Sequence, residues 1–341
     1  MSPNTTLGQQ LPVLSEDVSS WKGASVLSVT QMTPGGLALV FEIAHQMRMM
    51  VQTQGADTRC QGKLLATVFY EASTRTACSF QAAMMRLGGN YLHVDGEGGN
   101  SSAAKKGESL TDTIRCLECY TDVTVLRHYI KGSVGTVIEA ATKPVINAGD
   151  GVGEHPTQAL LDVFTIYDEL KLPLSAKATA NSKPLTIVLL GDLKHGRTVH
   201  SLAKLLAKSH TAGVVLRYCA PDGLELPEEI QEYVAQFDHV LQETVTDLRE
   251  ACQQANILYV TRVQRERFES DEAYQAVKGS YVVDTELMQQ VPSDMIVLHP
   301  LPRIDEIDPA VDSDPRAAYF REMENGMYVR MALLALVLGK V

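Results

Sequence analysis

Short apolar runs alternate with amphipathic stretches along most of this 341-residue chain. The apolar runs predict strands at Leu64–Tyr70, Tyr91–Val94, Val123–Leu126, Pro144–Asn147, Leu185–Leu190, Val214–Tyr218, Ile257–Val260 and Met295–Leu298. Helices are predicted between them, at Leu37–Val51, Ser79–Leu87, Ser109–Tyr120, Thr157–Leu170 and Val199–Lys208. Continuous apolar strands separated by helices are typical of parallel sheets covered on both faces, so the pattern predicts an α/β protein.

The alternating pattern weakens once, in the polar and turn-rich stretch Lys171–Lys183. Because domains typically have about 100–200 residues, the length predicts two α/β domains with a boundary in this stretch. The apolar stretch Ala317–Leu338 predicts a closing helix that packs on one of them. Ligands of open parallel sheets bind beyond the carboxyl ends of the strands, so residues that follow strands are the candidates for a site.

Composition narrows the classes of function. The chain has 30 basic and 41 acidic residues and a net charge of −11, which makes nucleic-acid binding unfavourable. An anionic ligand would require positive charge concentrated locally against this field. No apolar run approaches the roughly 18 residues of a membrane span, and the N-terminus lacks the regions of a secretory signal. We therefore expect a cytoplasmic protein that binds neither membranes nor nucleic acids.

Six cysteines are scattered through predicted regular structure, which fits a reducing compartment. Cys116 and Cys119 form a C-x-x-C pair, which could be half of a metal site, a redox motif, or two thiols buried in a helix. No second pair follows at zinc-finger spacing, so buried thiols are favoured. We expect no metal and no cofactor.

The strand Leu64–Tyr70 is followed by Ser73, Thr74, Arg75 and Thr76 and then by helix-like sequence. Ser73 is a suitable N-cap, and the first turn of a helix binds anions through its free N–H groups and its dipole. Three hydroxyl groups and the planar guanidinium of Arg75 add donors suited to phosphate. An anion site is therefore predicted, and the alternative is an ordinary capped helix with an exposed arginine.

Further polar residues follow other strands or open helices. Arg127 ends a strand, His155 precedes a proline at a helix entrance, and Arg197 lies in the first turn of a helix, where the dipole disfavours it. Each also has a structural interpretation, as a surface arginine, a structural histidine or an exposed first-turn arginine. Lys106 lies in a loop that could simply be solvated and basic, and Arg262 begins a cluster that could be a charged helix face.

Several motifs, in one order, resemble those of the aspartate and ornithine carbamoyltransferases over roughly residues 24–341. The residues that carry this resemblance are Phe69–Thr76 (F-x-E-x-S-T-R-T), Ser101–Ser109, Arg127–His128, His155–Gln158 (H-P-x-Q), Gly191–Ser201 (G-D-L-x-x-G-R-T-x-H-S), Thr261–Arg267 (T-R-V-Q-x-E-R) and His299–Pro302. The chain departs from the common pattern at Ala77, Tyr129 and Arg265, where many members have Arg, Pro and Lys.

The resemblance implies a site for carbamoyl phosphate. The residues that it assigns to this ligand are Ser73, Thr74, Arg75, Thr76, Ser102, Arg127, His155 and Gln158, with the backbone of Leu301 and Pro302. In this family the phosphate lies on the S-T-R-T segment, the arginine and histidine contact the carbonyl oxygen, and the glutamine and backbone carbonyls hold the amino group. The implied catalytic residues are Arg75, Thr76, Arg127, His155 and Lys106.

The resemblance also implies an aspartate site, formed by Lys106, Arg197, Thr198, Arg262 and Gln264. The R-V-Q segment and Pro300 separate this chain from the ornithine branch, which has cysteine after the histidine. The implied reaction gives N-carbamoyl-L-aspartate and phosphate in de novo pyrimidine synthesis. The details are most similar to the aspartate carbamoyltransferase domain of eukaryotic multifunctional pyrimidine proteins.

The implied architecture is a carbamoyl phosphate domain (24–158 with 320–341), an aspartate domain (171–319), an interdomain helix (159–170) and a linker or tail (1–23). It also implies a homotrimer whose sites borrow Ser102 and Lys106 from the neighbouring subunit. Fusion to carbamoyl phosphate synthetase and dihydroorotase-like domains is a further expectation. Three alternatives stay open: a transferase for ornithine or another amine, a dinucleotide-dependent oxidoreductase, disfavoured by the missing G-x-G-x-x-G, and a non-catalytic homologue.

Overall fold

The computed structural model describes residues 11–99, 101–173, 183–268 and 270–341. The chain separates into two compact units, one formed by Met1–Thr157 with Met327–Val341 and the other by Gln158–Gly326. Each unit contains one sheet, and every ladder in both sheets is parallel. The predicted α/β class with two parallel-sheet domains is therefore confirmed.

The sheet of the first unit has four strands in the order β2-β1-β3-β4. Their bounds are Leu64–Phe69 (β1), Asn90–Asp95 (β2), Val123–His128 (β3) and Val145–Asp150 (β4). β3 and β4 are buried along their whole length, as expected for strands covered on both faces. β1, β2 and β3 lie within two residues of the bounds predicted from the apolar runs, and β4 ends three residues beyond its predicted end at Asn147.

Among the described residues, six α-helices begin in the first unit. They are Pro34–Gln54 (α1), Thr74–Arg86 (α2), Ser102–Lys105 (α3), Leu110–Glu118 (α4), Ser133–Ala140 (α5) and Pro156–Glu169 (α6), the last of which continues into the second unit. The sequence determines the ends of α1 clearly, because Thr33 accepts a hydrogen bond from the Gly36 N–H and Pro34 opens the first turn. Gly55, with φ of 81°, ends it.

Residues 11–23, assigned from the sequence to a linker or tail, contribute to the core of the first unit. Leu14 and Trp21 are fully buried, and the Trp21 indole N–H donates to the Ser15 carbonyl oxygen at 2.8 Å. The Gly23 N–H donates to the carbonyl oxygen of Val337 at 2.9 Å, which ties this segment to the C-terminal helix. The segment is held by these two buried apolar side chains and by its backbone bond to the C-terminal helix. Residues 1–10 lie outside the described residues.

The sheet of the second unit has five strands in the order β7-β6-β5-β8-β9. They are Leu185–Leu190 (β5), Val214–Cys219 (β6), Val240–Thr244 (β7), Ile257–Val260 (β8) and Ile296–Leu298 (β9). β7 was not predicted from the sequence. It lies at one end of the strand order and has no buried residue, so its sequence lacks the apolar run that marks the central strands.

The remaining helices are Arg197–Ser209 (α7), Glu228–Val234 (α8), Leu248–Ala251 (α9), Asp271–Val277 (α10), Thr285–Gln290 (α11) and Tyr319–Val337 (α12). The last begins in the second unit and ends in the first, where the Arg330 guanidinium donates to the Ser79 hydroxyl at 2.9 Å. The predicted return of the C-terminal helix to the first domain is thus confirmed. Within the described residues, no helix is long and apolar enough to cross a membrane.

The expectation of two buried thiols at Cys116 and Cys119 is wrong. Cys116 lies in α4 as predicted and Cys119 caps the helix, but both side chains are exposed. The buried side of the helix carries Thr113, Ile114 and Glu118 instead. Of the predicted boundary Lys171–Lys183, residues 174–182 lie outside the described residues.

Candidate functional site

The start of α2 presents the predicted anion-binding residues immediately after β1. Ser73 occupies the N-cap position as predicted, but its side chain makes no capping hydrogen bond. The first backbone bond of the helix runs from the Ala77 N–H to the Ser73 carbonyl oxygen at 3.0 Å, so the preceding N–H groups have no partner inside the helix. Thr74 and Arg75 are exposed and Thr76 is buried. The helix start therefore has the features of an anion site.

Arg127 lies in β3 beside the end of β1. It is paired with Phe69 in the ladder, and its carbonyl oxygen accepts from the Tyr70 N–H at 2.9 Å. Its side chain is buried, donating from Nη2 to Glu71 Oε1 at 2.9 Å and from Nη1 to the Ala148 carbonyl oxygen at 3.3 Å. The alternative of a surface arginine is therefore wrong, and a fixed guanidinium lies at the same sheet edge as the start of α2.

His128, the next residue along β3, does not add to this positive charge. Burial is the largest influence and lowers the pKa of the imidazole, while Asp150 and Glu71 oppose the shift. The Nδ1 atom accepts a hydrogen bond from the Ile130 N–H at 3.1 Å, as a neutral ring can. The charge at the end of β3 thus comes from Arg127.

His155 lies between the end of β4 and the start of α6, and it is buried. Its Nδ1 is 3.4 Å from the hydroxyl oxygen of Thr157. The turn before it requires glycine, because Gly151 has φ of +55° and a Cβ there would lie 2.6 Å from the Lys131 nitrogen. The Gly151 N–H donates to the His128 carbonyl oxygen at 2.8 Å, which fixes this connection to β3.

Lys106 follows the short helix α3 and is exposed. Its N–H donates to the Ala103 carbonyl oxygen at 3.1 Å, so the backbone here is ordered by local turns. Ser102 begins α3, but its side chain lies outside the described part of the structure. Their contribution to a neighbouring subunit stays a prediction.

In the second unit, the motifs after β5 and β8 begin in contact. The Thr261 N–H and its hydroxyl both donate to the Leu190 carbonyl oxygen at 2.8 Å. Gly191 has φ of +106°, and a Cβ there would lie 2.2 Å from the Thr261 carbonyl oxygen, so only glycine fits. This close approach places the segments that carry Arg197 and Arg262 after adjacent strands.

Arg197 is the first residue of α7, and both it and Thr198 are half-buried. A cation at a helix N-terminus is disfavoured by the dipole, which an anionic ligand would offset. The Thr198 side chain is hydrogen-bonded to the Tyr259 hydroxyl. The structure therefore fixes Thr198 through a buried strand residue.

Arg262 and Gln264 are half-buried and follow β8 in a non-helical segment. A short 3-10 turn begins only at Arg265, whose guanidinium lies 2.9 Å from Asp271 in an exposed ion pair. The alternative of a charged helix face is therefore wrong for Arg262. A pocket beside this segment is lined by Thr261 and Val263.

The segment after β9 is held by His299. Its Nδ1 accepts from the Leu301 N–H at 2.7 Å, and its Nε2 lies 2.7 Å from Glu306 Oε1. Burial would raise the pKa of Glu306, but the hydrogen bond from His299 holds it below the usual value. Leu301 has φ of 53°, a region rarely adopted by residues other than glycine. This backbone conformation orients the carbonyl groups of Leu301 and Pro302, which are predicted to bind the amino group.

Gln158 belongs to a buried network inside the second unit. Its Nε2 donates to Asp162 Oδ1 at 2.8 Å, and the Tyr259 hydroxyl donates to Asp162 Oδ2 at 2.8 Å. Glu322 is hydrogen-bonded to Asp162, and its Oε2 accepts from the His299 N–H at 2.9 Å. Asp162, Tyr259 and Glu322 are fully buried. Burial, followed by the proximity of Asp162, raises the pKa of Glu322 well above its usual range.

Sequence reasoning missed Asp162, Tyr259 and Glu322. Asp162 could have been found, because it follows Gln158 by four residues on one helix and so shares its face. Glu322 stands near the start of an apolar helix, and Tyr259 lies inside an apolar strand, where an aromatic residue suggests only packing. Within residues 11–99, 101–173, 183–268 and 270–341, no cluster of His, Cys, Asp and Glu is arranged to hold a metal ion.

The chain matches the sequence models of two domains of one protein family. The "carbamoyl-P binding domain" of the aspartate/ornithine carbamoyltransferases matches residues 24–168, and their "Asp/Orn binding domain" matches residues 183–337. Together they account for most of the chain.

Curated relatives and solved structures agree with this match. The multifunctional protein pyr1-3 of Dictyostelium discoideum is 52% identical over 94% of this chain, but the chain spans only 14% of that protein. The aspartate carbamoyltransferase catalytic subunit of Thermococcus gammatolerans is 44% identical over 94% of this chain and 99% of its own length. The crystal structure of Trypanosoma cruzi aspartate transcarbamoylase with carbamoyl phosphate superposes with a TM-score of 0.85 at 40% identity, covering 94% and 98% of the two chains.

Proposed function

Because this chain belongs to the aspartate/ornithine carbamoyltransferase family, we propose that it transfers the carbamoyl group of carbamoyl phosphate to the α-amino group of L-aspartate. The products are N-carbamoyl-L-aspartate and phosphate, an early step of pyrimidine synthesis. The observation that carries the proposal is an anion-binding helix start beside a buried arginine, joined by the bond from the Tyr70 N–H to the Arg127 carbonyl oxygen.

Carbamoyl phosphate binds at this edge of the first sheet. Its phosphate accepts hydrogen bonds from the N–H groups and hydroxyls of Ser73, Thr74 and Thr76 and from the guanidinium of Arg75. Ser102 of a neighbouring subunit adds a donor to carbamoyl phosphate, and Lys106 of that subunit adds a cation for the aspartate. The exposure of Arg75 supports this role, since a ligand can reach its guanidinium from solvent.

The reaction begins when the neutral amino group of aspartate attacks the carbonyl carbon. A C–N bond forms, and negative charge develops on the former carbonyl oxygen, where Thr76, Arg127 and His155 donate as an oxyanion hole does. The C–O bond to phosphate then breaks, and a phosphate oxygen takes the amine proton. Much of the acceleration comes from holding two anionic substrates in reacting geometry. No side chain has to act as a strong base.

Aspartate is recognised through its two carboxylates. Arg197 with Thr198 binds one, and Arg262 with Gln264 binds the other, because fork-shaped guanidinium groups suit carboxylates. The placement of both arginines after the adjacent strands β5 and β8 supports this assignment. An ornithine side chain, which is cationic, would be repelled by Arg262.

The assembly and context follow from the same family. We propose a cytoplasmic homotrimer with shared active sites. A measured mass in solution equal to that of one subunit would contradict the trimer. The chain is proposed to be one domain of a longer multifunctional protein. The support is that it spans only 14%, or about one seventh, of its relative from Dictyostelium. Immunodetection of the native protein at the mass of this chain alone would contradict the proposal of a longer protein.

The decisive assay measures carbamoyl aspartate from carbamoyl phosphate and L-aspartate, with ornithine in a parallel reaction. We expect product with aspartate only, and a loss of at least about 100-fold in Arg75→Ala, since removing one transition-state donor has effects of this size. Arg249→Ala is the matched control, because Arg249 is also an exposed arginine, paired with Glu286.

Two other outcomes would redirect the assignment. Product with ornithine would move the chain to the other branch of its family. Absence of product with either amine, from protein shown to be folded, would favour a non-catalytic homologue.

A further inference from the structure

The surroundings of Gln158 permit only one orientation of its amide group. Its Nε2 donates to Asp162 Oδ1 at 2.8 Å and lies 3.4 Å from Glu322 Oε1, so both neighbours on this side are carboxyl oxygens. A carboxylate only accepts hydrogen bonds, so the amide nitrogen has to face it. The carbonyl oxygen of Gln158 must then point the other way.

Asp162 is the charged member of this network. Three donors converge on it: the amide of Gln158, the hydroxyl of Tyr259 at 2.8 Å, and Glu322. Glu322 can serve as the third donor only when it keeps its proton. Its other oxygen accepts from the His299 N–H at 2.9 Å, so both of its oxygens have defined partners in the neutral form. One negative charge shared by three donors is the arrangement that a fully buried carboxyl pair tolerates.

We propose that Asp162 is a positioning residue that holds Gln158 with its carbonyl oxygen toward the substrate, so that the site selects acyl phosphates carrying an amino group. This inference rests on the proposed function, in which Gln158 binds the carbamoyl amino group. An outward carbonyl oxygen accepts a hydrogen bond from –NH₂ but gains nothing from –CH₃. Selection of a substrate that can donate over one that cannot is strong where buried polar groups would be left unpaired.

Carbamoyl phosphate and acetyl phosphate provide the test, because they differ only in –NH₂ against –CH₃ at the reacting carbon. The measured quantity is the ratio of kcat/KM for the two substrates, with L-aspartate as acceptor. In Asp162→Asn the new side chain offers one acceptor and one donor, so Gln158 can turn its nitrogen toward the substrate. We expect the ratio to fall at least about tenfold, mainly through loss of activity with carbamoyl phosphate.

Glu322→Gln should keep the ratio within about twofold, because an amide can donate to Asp162 and accept from His299 as the neutral acid does. Glu118→Gln is the matched control for generic loss of a buried carboxyl, since Glu118 accepts from Thr142 and Lys143 in the first unit and has no contact with Gln158. A merely structural role of Asp162 would lower both rates equally and leave the ratio unchanged.

If Asp162→Asn fails to fold, Glu322→Leu gives a second test. Without its donor, Asp162 binds a proton more readily, so selection should become dependent on pH and increase as the pH rises. Gln158, Tyr259 and the residue at position 322 all contact Asp162, and Glu322→Leu removes the one carboxyl group among these three. A wild-type ratio in Asp162→Asn, or a ratio in Glu322→Leu that does not change with pH, would overturn the positioning role. Lack of wild-type activity would instead contradict the proposed function.

Discussion

The helix start after β1 and the network around Asp162 show two different ways of keeping polar groups in a folded chain. At the helix start, Arg75 and Thr74 are exposed, and the N–H groups before that of Ala77 have no partner inside the helix. In the buried network, Asp162, Tyr259 and Glu322 are fully buried, and each of their carboxyl and hydroxyl oxygens meets another polar group of the protein. The first region is open to solvent or a ligand, whereas these three buried side chains are not.

This difference has consequences for stability. Removing an exposed side chain at the helix start leaves no buried group behind, so the folded state should lose little. Removing one member of the buried network leaves a partner without a hydrogen bond, which typically costs about 1–3 kcal/mol. Activity and stability should therefore respond separately in the first region and together in the second.

Arg127 tests this comparison most severely, because it is buried like the network but belongs to the proposed phosphate site. Arg127→Ala should lower kcat by about 100- to 1,000-fold, as loss of one donor to a developing oxyanion does. It should also destabilise the fold, because Glu71 loses its partner at 2.9 Å. Steady-state kinetics and urea unfolding of the same preparation measure the two effects.

Arg217→Ala provides the matched control. Arg217 is a partly buried arginine of the second sheet that bonds Glu243 at 2.8 Å, and it has no assigned role in the site. It should lose stability without losing kcat. If Arg127→Ala keeps kcat within about threefold of wild type, its role would be structural only and the phosphate site would need another cation.

The fold was largely predictable from apolar runs because buried parallel strands have continuous apolar sequences. β3 and β5 illustrate this, since every residue in them is buried. The pattern of apolar runs failed where the burial of a residue does not follow from its type. β7 has no buried residue and lacks an apolar run, and the exposure of Cys119 depends on which side of α4 faces the core.

The candidate site was predictable to a similar extent and for a related reason. Residues such as Arg75 and Arg262 follow strands and carry charge, so the sequence singles them out. Asp162 and Glu322 come from helices 160 residues apart, and nothing local in the sequence of α12 predicts that its carboxyl group will meet another. Pairwise burial of this kind depends on tertiary contacts that periodicity does not encode.

Arg262 tests the proposed site for the second substrate, aspartate. Arg262→Lys keeps the charge but loses the fork, so the KM for aspartate should rise about 10- to 100-fold, the equivalent of one charge-assisted hydrogen bond. The KM for carbamoyl phosphate should change little. Initial rates with each substrate varied in turn measure both constants.

Arg265→Lys is the control for this substitution, because Arg265 lies three residues later and forms only an exposed pair with Asp271. Exposed ion pairs contribute little, so neither KM should change. An equal rise of both KM values in Arg262→Lys would indicate a general disturbance of the fold and not a contact with aspartate.

The last prediction concerns Glu322 and the pH dependence of stability. Its folded-state pKa lies well above the ordinary value of 4.5, so the folded protein keeps a proton that the unfolded chain releases. The stabilisation is fully present below about pH 4.5 and decreases as the pH rises toward the folded-state pKa, by up to about 1.4 kcal/mol per pH unit.

Glu322→Gln removes this proton linkage while keeping the donor and the acceptor. The variant should therefore be more stable than wild type at pH 8, and the difference should widen between about pH 5 and pH 8. Urea unfolding across this range measures it. A constant difference for Glu322→Gln would mean that Asp162 and Glu322 do not share a proton. The network around Asp162 would then not hold the buried charge that distinguishes it from the helix start.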